Sequence, residues 1–131
     1  MALTVAQKLQ IKTGPVAILG LPEGVDLELP SDIPTTTNPE AAAVVIAFVT
    51  SDTDVDKLAA PAIAAARADK LAWIAYPKAG KLGTNLNRDS LARLVEERGA
   101  TPVRQVAIDD TWSALRFKTG GGETRWSPKA G

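Results

Sequence analysis

The chain has 131 residues, 45% hydrophobic and 23% charged, with 15 basic residues against 15 acidic ones; this fits one domain that can bury its own core without metal or disulfide staples. It contains neither cysteine nor histidine, which excludes disulfides, thiol nucleophiles, zinc–thiolate sites, the Ser-His-Asp triad and imidazole acid–base catalysis. No segment approaches the roughly 18 apolar residues of a membrane span, and Met1–Lys8 lacks the pattern of a signal peptide, so the expectation is a cytoplasmic protein without membrane contact.

Thr4-Val5-Ala6-Gln7 has the form of a capping box, the threonine answering to the glutamine three residues on, and predicts a short helix to about Leu9. Pro15–Gly20 is an apolar run between turn residues, a buried strand. Val25-Asp26-Leu27-Glu28-Leu29 alternates with period two and predicts a half-exposed edge strand. The connection from Pro30 to Pro39 has no periodic pattern. Ala42–Val49 is apolar on both faces and predicts a central strand. Val55, Leu58, Ala59, Ala62, Ile63 and Ala66 then follow helical spacing, preceded by several N-cap candidates in Thr50–Asp54. Pro61 lies inside this run, so either the helix kinks or a short turn precedes a true helix from about Ala60.

Leu71–Tyr76 predicts the next central strand, and the loop from Pro77 to Arg88 follows it. Asn87 or Asp89 can cap a helix that turns Leu91, Leu94 and Val95 inward and ends at Gly99. Pro102–Ile108 and Trp112–Phe117, joined by Asp109-Asp110-Thr111, form a hairpin. The expected core includes Ile18, Val45, Ile46, Phe48, Ile63, Trp73, Ile74, Leu94, Val106 and Leu115. Residues 1–118 form a single α/β domain on this reading, and 119–131 a mobile tail without periodicity. The fold class is α/β: a mostly parallel, Rossmann-like sheet flanked by helices and ending in an antiparallel C-terminal hairpin.

This arrangement resembles the class I methyltransferase variant of the Rossmann fold, in a trimmed form. More narrowly, Ile74–Lys78, Asn85–Asp89 and Val103–Phe117 are similar to blocks in a family of short, uncharacterised bacterial proteins, across most of residues 4–118. The resemblance to methyltransferases implies an S-adenosylmethionine site: a glycine-rich turn after the first strand, and an acid that holds the ribose. Gly20-Leu21-Pro22-Glu23-Gly24 lacks the glycine run, and its proline removes a backbone donor. Asp26 or Glu28 would be the ribose acid. No cofactor is therefore expected, and an S-adenosylmethionine-dependent methyltransferase with a divergent first turn is the alternative reading.

Ligands of α/β folds lie at the carboxyl ends of parallel strands. There Tyr76 can donate its hydroxyl, while Lys78, Lys81 and Arg88 neutralise an anion beside Asn85 and the Thr50-Ser51-Asp52 loop. The same residues also suit a strand end capped by a tyrosine and a loop made soluble by lysines. Asp109-Asp110-Thr111 offers a polar cluster, which turn chemistry alone explains. Eight acids and one base occupy Leu21–Lys57, and seven bases and four acids Arg67–Arg98. Nothing matches the dense basic face of a nucleic-acid binder. Without histidine or cysteine no catalytic residue is named. The leading expectation is a non-catalytic module that binds a small anionic ligand or a protein.

Overall fold

A five-stranded sheet in the order β1-β2-β3-β5-β4 organises the chain. The computed structural model describes residues 3–78, 83–84 and 86–119. Its elements are α1 (Val5–Lys8), β1 (Val16–Leu19), a 3-10 turn (Pro39–Ala41), β2 (Val44–Phe48), α2 (Asp52–Lys57), α3 (Ala60–Arg67), β3 (Leu71–Pro77), α4 (Arg88–Glu96), β4 (Ala100–Ala107) and β5 (Trp112–Thr119). β1 pairs with β2 and β2 with β3 in parallel, whereas β5 runs antiparallel to both β3 and β4. Among the described residues the sheet is therefore mixed, with two parallel and two antiparallel ladders, and not mostly parallel. The reason is the short Ile108–Thr111 connection: it can only reverse the chain, and both strands it joins are eight residues long.

The predicted edge strand at Val25–Leu29 does not form. Glu28 adopts a left-handed φ of 56°, a backbone conformation outside the extended region that a ladder needs. Its alternation serves packing instead, with Leu27 buried and Val25 and Leu29 half-buried beneath the sheet. Among the described residues, the pairing on the outer side of β1 is a single parallel bridge to Thr35, in which Val16 N donates to Pro34 O and Thr36 N to Val16 O, each at 2.9 Å.

Alternation along β3 divides the interior into two layers. Ala72, Ile74 and Tyr76 face α2, α3 and α4, together with Val45, Val49, Val55, Leu91, Val95, Leu115 and Phe117. Trp73 and Ala75 face the other side, with Ile46, Phe48, Trp112 and the residues Val5 and Leu9 at α1. On this second side Trp73 is fully buried, and its indole donates to Leu9 O at 2.9 Å, tying α1 to the sheet. Phe48 and Trp112 meet edge to face at 5.2 Å, a favoured geometry for aromatic pairs. Of the expected core, Val45, Ile46, Phe48, Ile63, Trp73, Ile74 and Leu115 are buried. Ile18, Leu94 and Val106 are half-buried, since β1 and β4 are the outermost strands and Leu94 lies on the flank of α4.

Local chemistry explains the helix bounds. Thr4 and Gln7 close the capping box on α1. The apolar run after β2 splits into α2 and α3, with Pro61 in the first turn of α3, where a missing N–H costs least. Asn87 caps α4, its side chain accepting from Ser90 N at 2.9 Å. Past the end of α4, Gly99 holds a φ of +96°, with Arg67 packed where a side chain would stand; a glycine in this conformation is the usual helix stop. Arg98 donates to Asp56 Oδ1 at 2.9 Å and to Leu94 O, joining α2 to the end of α4. That guanidinium holds the Asp56 carboxyl below its ordinary range.

Ile46 and Ile74 are fully buried, one in each layer. Truncation of either to alanine should cost about 2–5 kcal/mol, the sum of lost transfer energy and an unfilled cavity. Urea unfolding is the measurement, and a loss under about 1 kcal/mol at both positions contradicts this packing.

Candidate functional site

The carboxyl end of β3 delivers Tyr76, Pro77 and Lys78 in succession. Alternation sends Tyr76 toward the α4 side, and the β3–β5 register sets Ser113 directly opposite it. Gln105 approaches from β4, and α4 presents its first residues, Arg88 and Asp89, preceded by the cap Asn87. Together with Lys78 these residues line an open cleft of about 380 Å³, within the usual range for small-ligand sites.

The floor is buried and polar. Tyr76 is 3% exposed and Ser113 5%. Gln105 Nε2 donates to Tyr76 Oη at 3.0 Å, and Ser113 stands directly across the ladder from Tyr76. Gln105 Oε1 in turn accepts a long bond from Arg88 Nη1 at 3.5 Å. Burial pushes the Tyr76 phenol above its ordinary value of 10.0, against the weaker opposing pull of Ser113, Arg88 and Gln105. The hydroxyl is therefore neutral at physiological pH and keeps a proton to donate.

The rim is charged. Arg88 Nε lies 3.6 Å from Asp89 Oδ1, so the acid in the cleft stands beside its own cation. The Lys78 backbone is fixed by a 2.7 Å bond from its N–H to Thr111 O. Its ammonium has no ion pair among the described residues. Among those residues, two bases against one acid leave the cleft with a net positive rim.

Of the residues expected at a site, the structure brings Tyr76, Lys78 and Arg88 together. Asn85 and Lys81 lie outside the described residues. Thr50, Ser51 and Asp52 are not among the described residues that line the cleft; the polar groups of Thr50 and Ser51 bond within the start of α2, and Asp52 is its first residue. Thr50 donates through both its N–H and its hydroxyl to Asp54 Oδ2 at 3.0 Å, and Ser51 Oγ is 2.9 Å from Thr53 Oγ1. The bonds from Thr50, led by its N–H, hold the Asp54 carboxyl below its ordinary value. The loop does meet the approach to α4, since Thr84 Oγ1 donates to Thr50 O at 2.8 Å. Ser113, Gln105 and Asp89 are additions that the strand-end argument does not reach. Pairing the hairpin symmetrically about Asp110 would have put Ser113 and Gln105 on the same face.

The Asp109-Asp110-Thr111 cluster resolves into turn chemistry. Asp109 Oδ1 accepts from Thr111 N at 2.8 Å and from Trp112 N at 2.7 Å. Such bonds to the following amides are what aspartate supplies in a turn. No group of three or more potential metal-binding side chains occurs among the described residues.

The first turn, Gly20-Leu21-Pro22-Glu23-Gly24, carries no glycine run, and its Pro22 lacks a backbone N–H. Gly20 has a left-handed φ of +71°, but Leu58 lies 3.2 Å from where its Cβ would stand and Phe48 O 3.1 Å. Glycine supplies the conformation such a turn needs, and a side chain there would meet Leu58 and the Phe48 carbonyl, while the residue's other side is exposed. Glu28 Oε1 accepts from Val5 N at 2.7 Å, and Asp26 Oδ1 from Glu28 N at 2.8 Å, so both ribose-acid candidates are engaged elsewhere. No family model, curated protein or solved structure matches the chain. Among the described residues no helix is long and apolar enough to cross a membrane.

Tyr76 is the sole tyrosine, so tyrosinate absorbance reports on it alone. The folded state holds the phenolic proton more tightly than the unfolded chain. The stability this contributes is complete below pH 10.0 and is lost as pH rises past that value. An alkaline titration of the folded protein should show tyrosinate appearing above pH 10.0, and at lower pH once urea unfolds it. Coincident curves in the two states would contradict the buried floor.

Proposed function

We propose that the protein is a non-catalytic module that binds a small anionic ligand in the cleft between β3, β5 and the start of α4, on a scaffold resembling a trimmed class I methyltransferase. The single observation that carries this reading is that Lys78, whose ammonium has no ion pair among the described residues, lines the same cleft as the buried Tyr76 and Ser113. An anion there gains the lysine's charge, the field of the Arg88 guanidinium and the proton of a phenol that burial keeps neutral. Hydrogen bonds to ionised groups are the stronger kind, and a carboxylate or phosphate accepts all three donors. The open cleft admits such a ligand without expelling side chains.

Three features support binding over catalysis. The chain has neither histidine nor cysteine. The acid of the cleft, Asp89, is paired with the neighbouring Arg88 guanidinium at 3.6 Å. The phenol is a poor base, because burial disfavours its anion. S-adenosylmethionine forms no part of this reading, since the Gly20–Gly24 turn carries Pro22 in place of a glycine run.

The scaffold reading draws on the order of elements. β2, α2–α3, β3, α4 and a hairpin whose second strand returns beside β3 follow the arrangement that the resemblance implies.

Amide spectra of the labelled protein titrated with inorganic phosphate or acetate test the binding reading. Signals of Tyr76, Lys78, Gln105 and Ser113 should shift and saturate, and K78Q should weaken that response about tenfold or more. Rising sodium chloride should weaken it as well, because the rim is partly exposed. Unchanged affinity in K78Q overturns the site. Titration with S-adenosylmethionine should leave the Gly20–Gly24 signals in place, and saturable shifts there would restore the methyltransferase reading.

A further inference from the structure

A second cationic cleft, of about 540 Å³, lies on the opposite face of the sheet, between α1 and the hairpin. Gln7, Gln10, Lys12, Leu71, Arg104 and Arg116 line it. No acid is among these described residues, and none of the three cations makes an ion pair among the described residues. The β4–β5 register places Arg104 directly opposite Arg116. Side chains opposed in this way have Cβ atoms roughly 4.5–5.5 Å apart, and like charges there destabilise a sheet. The hairpin turn sets this alignment, since the register runs unbroken from Ala107–Ser113 to Arg104–Arg116 and shifts only beyond it, at the bulge before Arg104.

Two further features mark the pair as more than surface charge. Arg116 Nε is shielded from solvent yet has no hydrogen-bond partner, although Arg116 Nη1 donates to Gln10 Oε1 at 2.8 Å. A buried guanidinium donor without an acceptor is costly to keep. Gln10 itself has a φ of 62°. It ends α1 in a left-handed cap, in which Ile11 N donates to Ala6 O and Gln10 N to Gln7 O, each at 3.0 Å. Glycine is the residue such a cap prefers. A glutamine accepts the strain of that position, and its amide reaches Arg116 across the cleft.

We propose that this cleft binds the phosphate group of a small organic phosphate. A tetrahedral dianion between Arg104 and Arg116 cancels their repulsion and takes Lys12 as a third cation. A single guanidinium fork satisfies the two coplanar oxygens of a carboxylate. Donors arriving from two strands and from the loop after α1 suit a group whose oxygens point in several directions. The cleft exceeds the volume of one phosphate, and half-buried Leu71 offers an apolar surface to the organic body. The Gln7 and Gln10 amides add neutral donors and acceptors at its edge.

This proposal does not depend on the Lys78 cleft, and the same spectra separate the two. Titration with phenyl phosphate should shift the amide and guanidinium signals of Gln10, Leu71, Arg104 and Arg116. R116Q should weaken that response about tenfold or more, while K78Q leaves it unchanged. R104Q removes the repulsion, so in phosphate-free buffer it should unfold at the same temperature as the parent chain or higher. Phenyl phosphate should raise the melting temperature of the parent chain. That rise should shrink in K78Q R104Q below its value in K78Q alone. Saturable shifts at Gln10 and Leu71 that persist in R104Q R116Q would overturn the proposal. So would acetate at matched ionic strength reproducing the phenyl phosphate response, or shifts confined to residues around Lys78.

Discussion

Six consecutive residue pairs, from Ala72–Phe117 to Pro77–Trp112, lock β5 against β3, and both clefts depend on that register. Tyr76 faces Ser113 on one side of the sheet, and Trp73 stands beside Arg116 on the other. Side chains alternate along a strand, so a slip of one residue would invert every one of these positions. The phenol would lose its partner, and the guanidinium would enter the layer occupied by Leu115 and Phe117. Burial enforces the register, because Phe117, Leu115 and Ala114 are wholly enclosed where they stand.

The same ladder explains why the charges lie where they do. β5 contributes Ser113 to one cleft and Arg116 to the other, while β4, at the edge, contributes Gln105 and Arg104 to opposite faces. Adjacent residues on an exposed strand thus serve two different surfaces. The helices divide in the same way: α4 brings Arg88 and Asp89 to one side, and the end of α1 brings Gln10 to the other. The indole bond from Trp73 to Leu9 O fixes that second helix end.

Much of the framework was legible in the chain. β2 announced itself as apolar on both faces and β3 as the next central strand, Pro61 signalled a kink or a break that proved to separate α2 from α3, and Thr4 and Gln7 marked the start of α1. Val25–Leu29 misled because burial of three alternate residues needs no ladder, and Glu28 bends the chain where a strand would run straight. Lys78 and Arg88 could be brought together from the strand-end rule. Their partners Gln105 and Ser113 required a hairpin register. So did the Arg104–Arg116 pair, whose members stand equally far from Asp110, although nothing in composition distinguished them from other surface arginines. The Leu58 packing over Gly20 depends on how α2 ends, which no local pattern specifies.

The sheet has two outer margins, and each is poorly suited to accept another strand. β4 carries Pro102, which has no N–H, a bulge beside it, and exposed Arg104 and Gln105. β1 is four residues long, and part of its outer side is occupied by the Pro34–Thr36 bridge. Open backbone edges are the usual template for strand-by-strand growth between chains, and prolines, bulges and charges interrupt it. A sequence with 45% hydrophobic residues is thereby guarded against fibril formation at the margins of its own sheet.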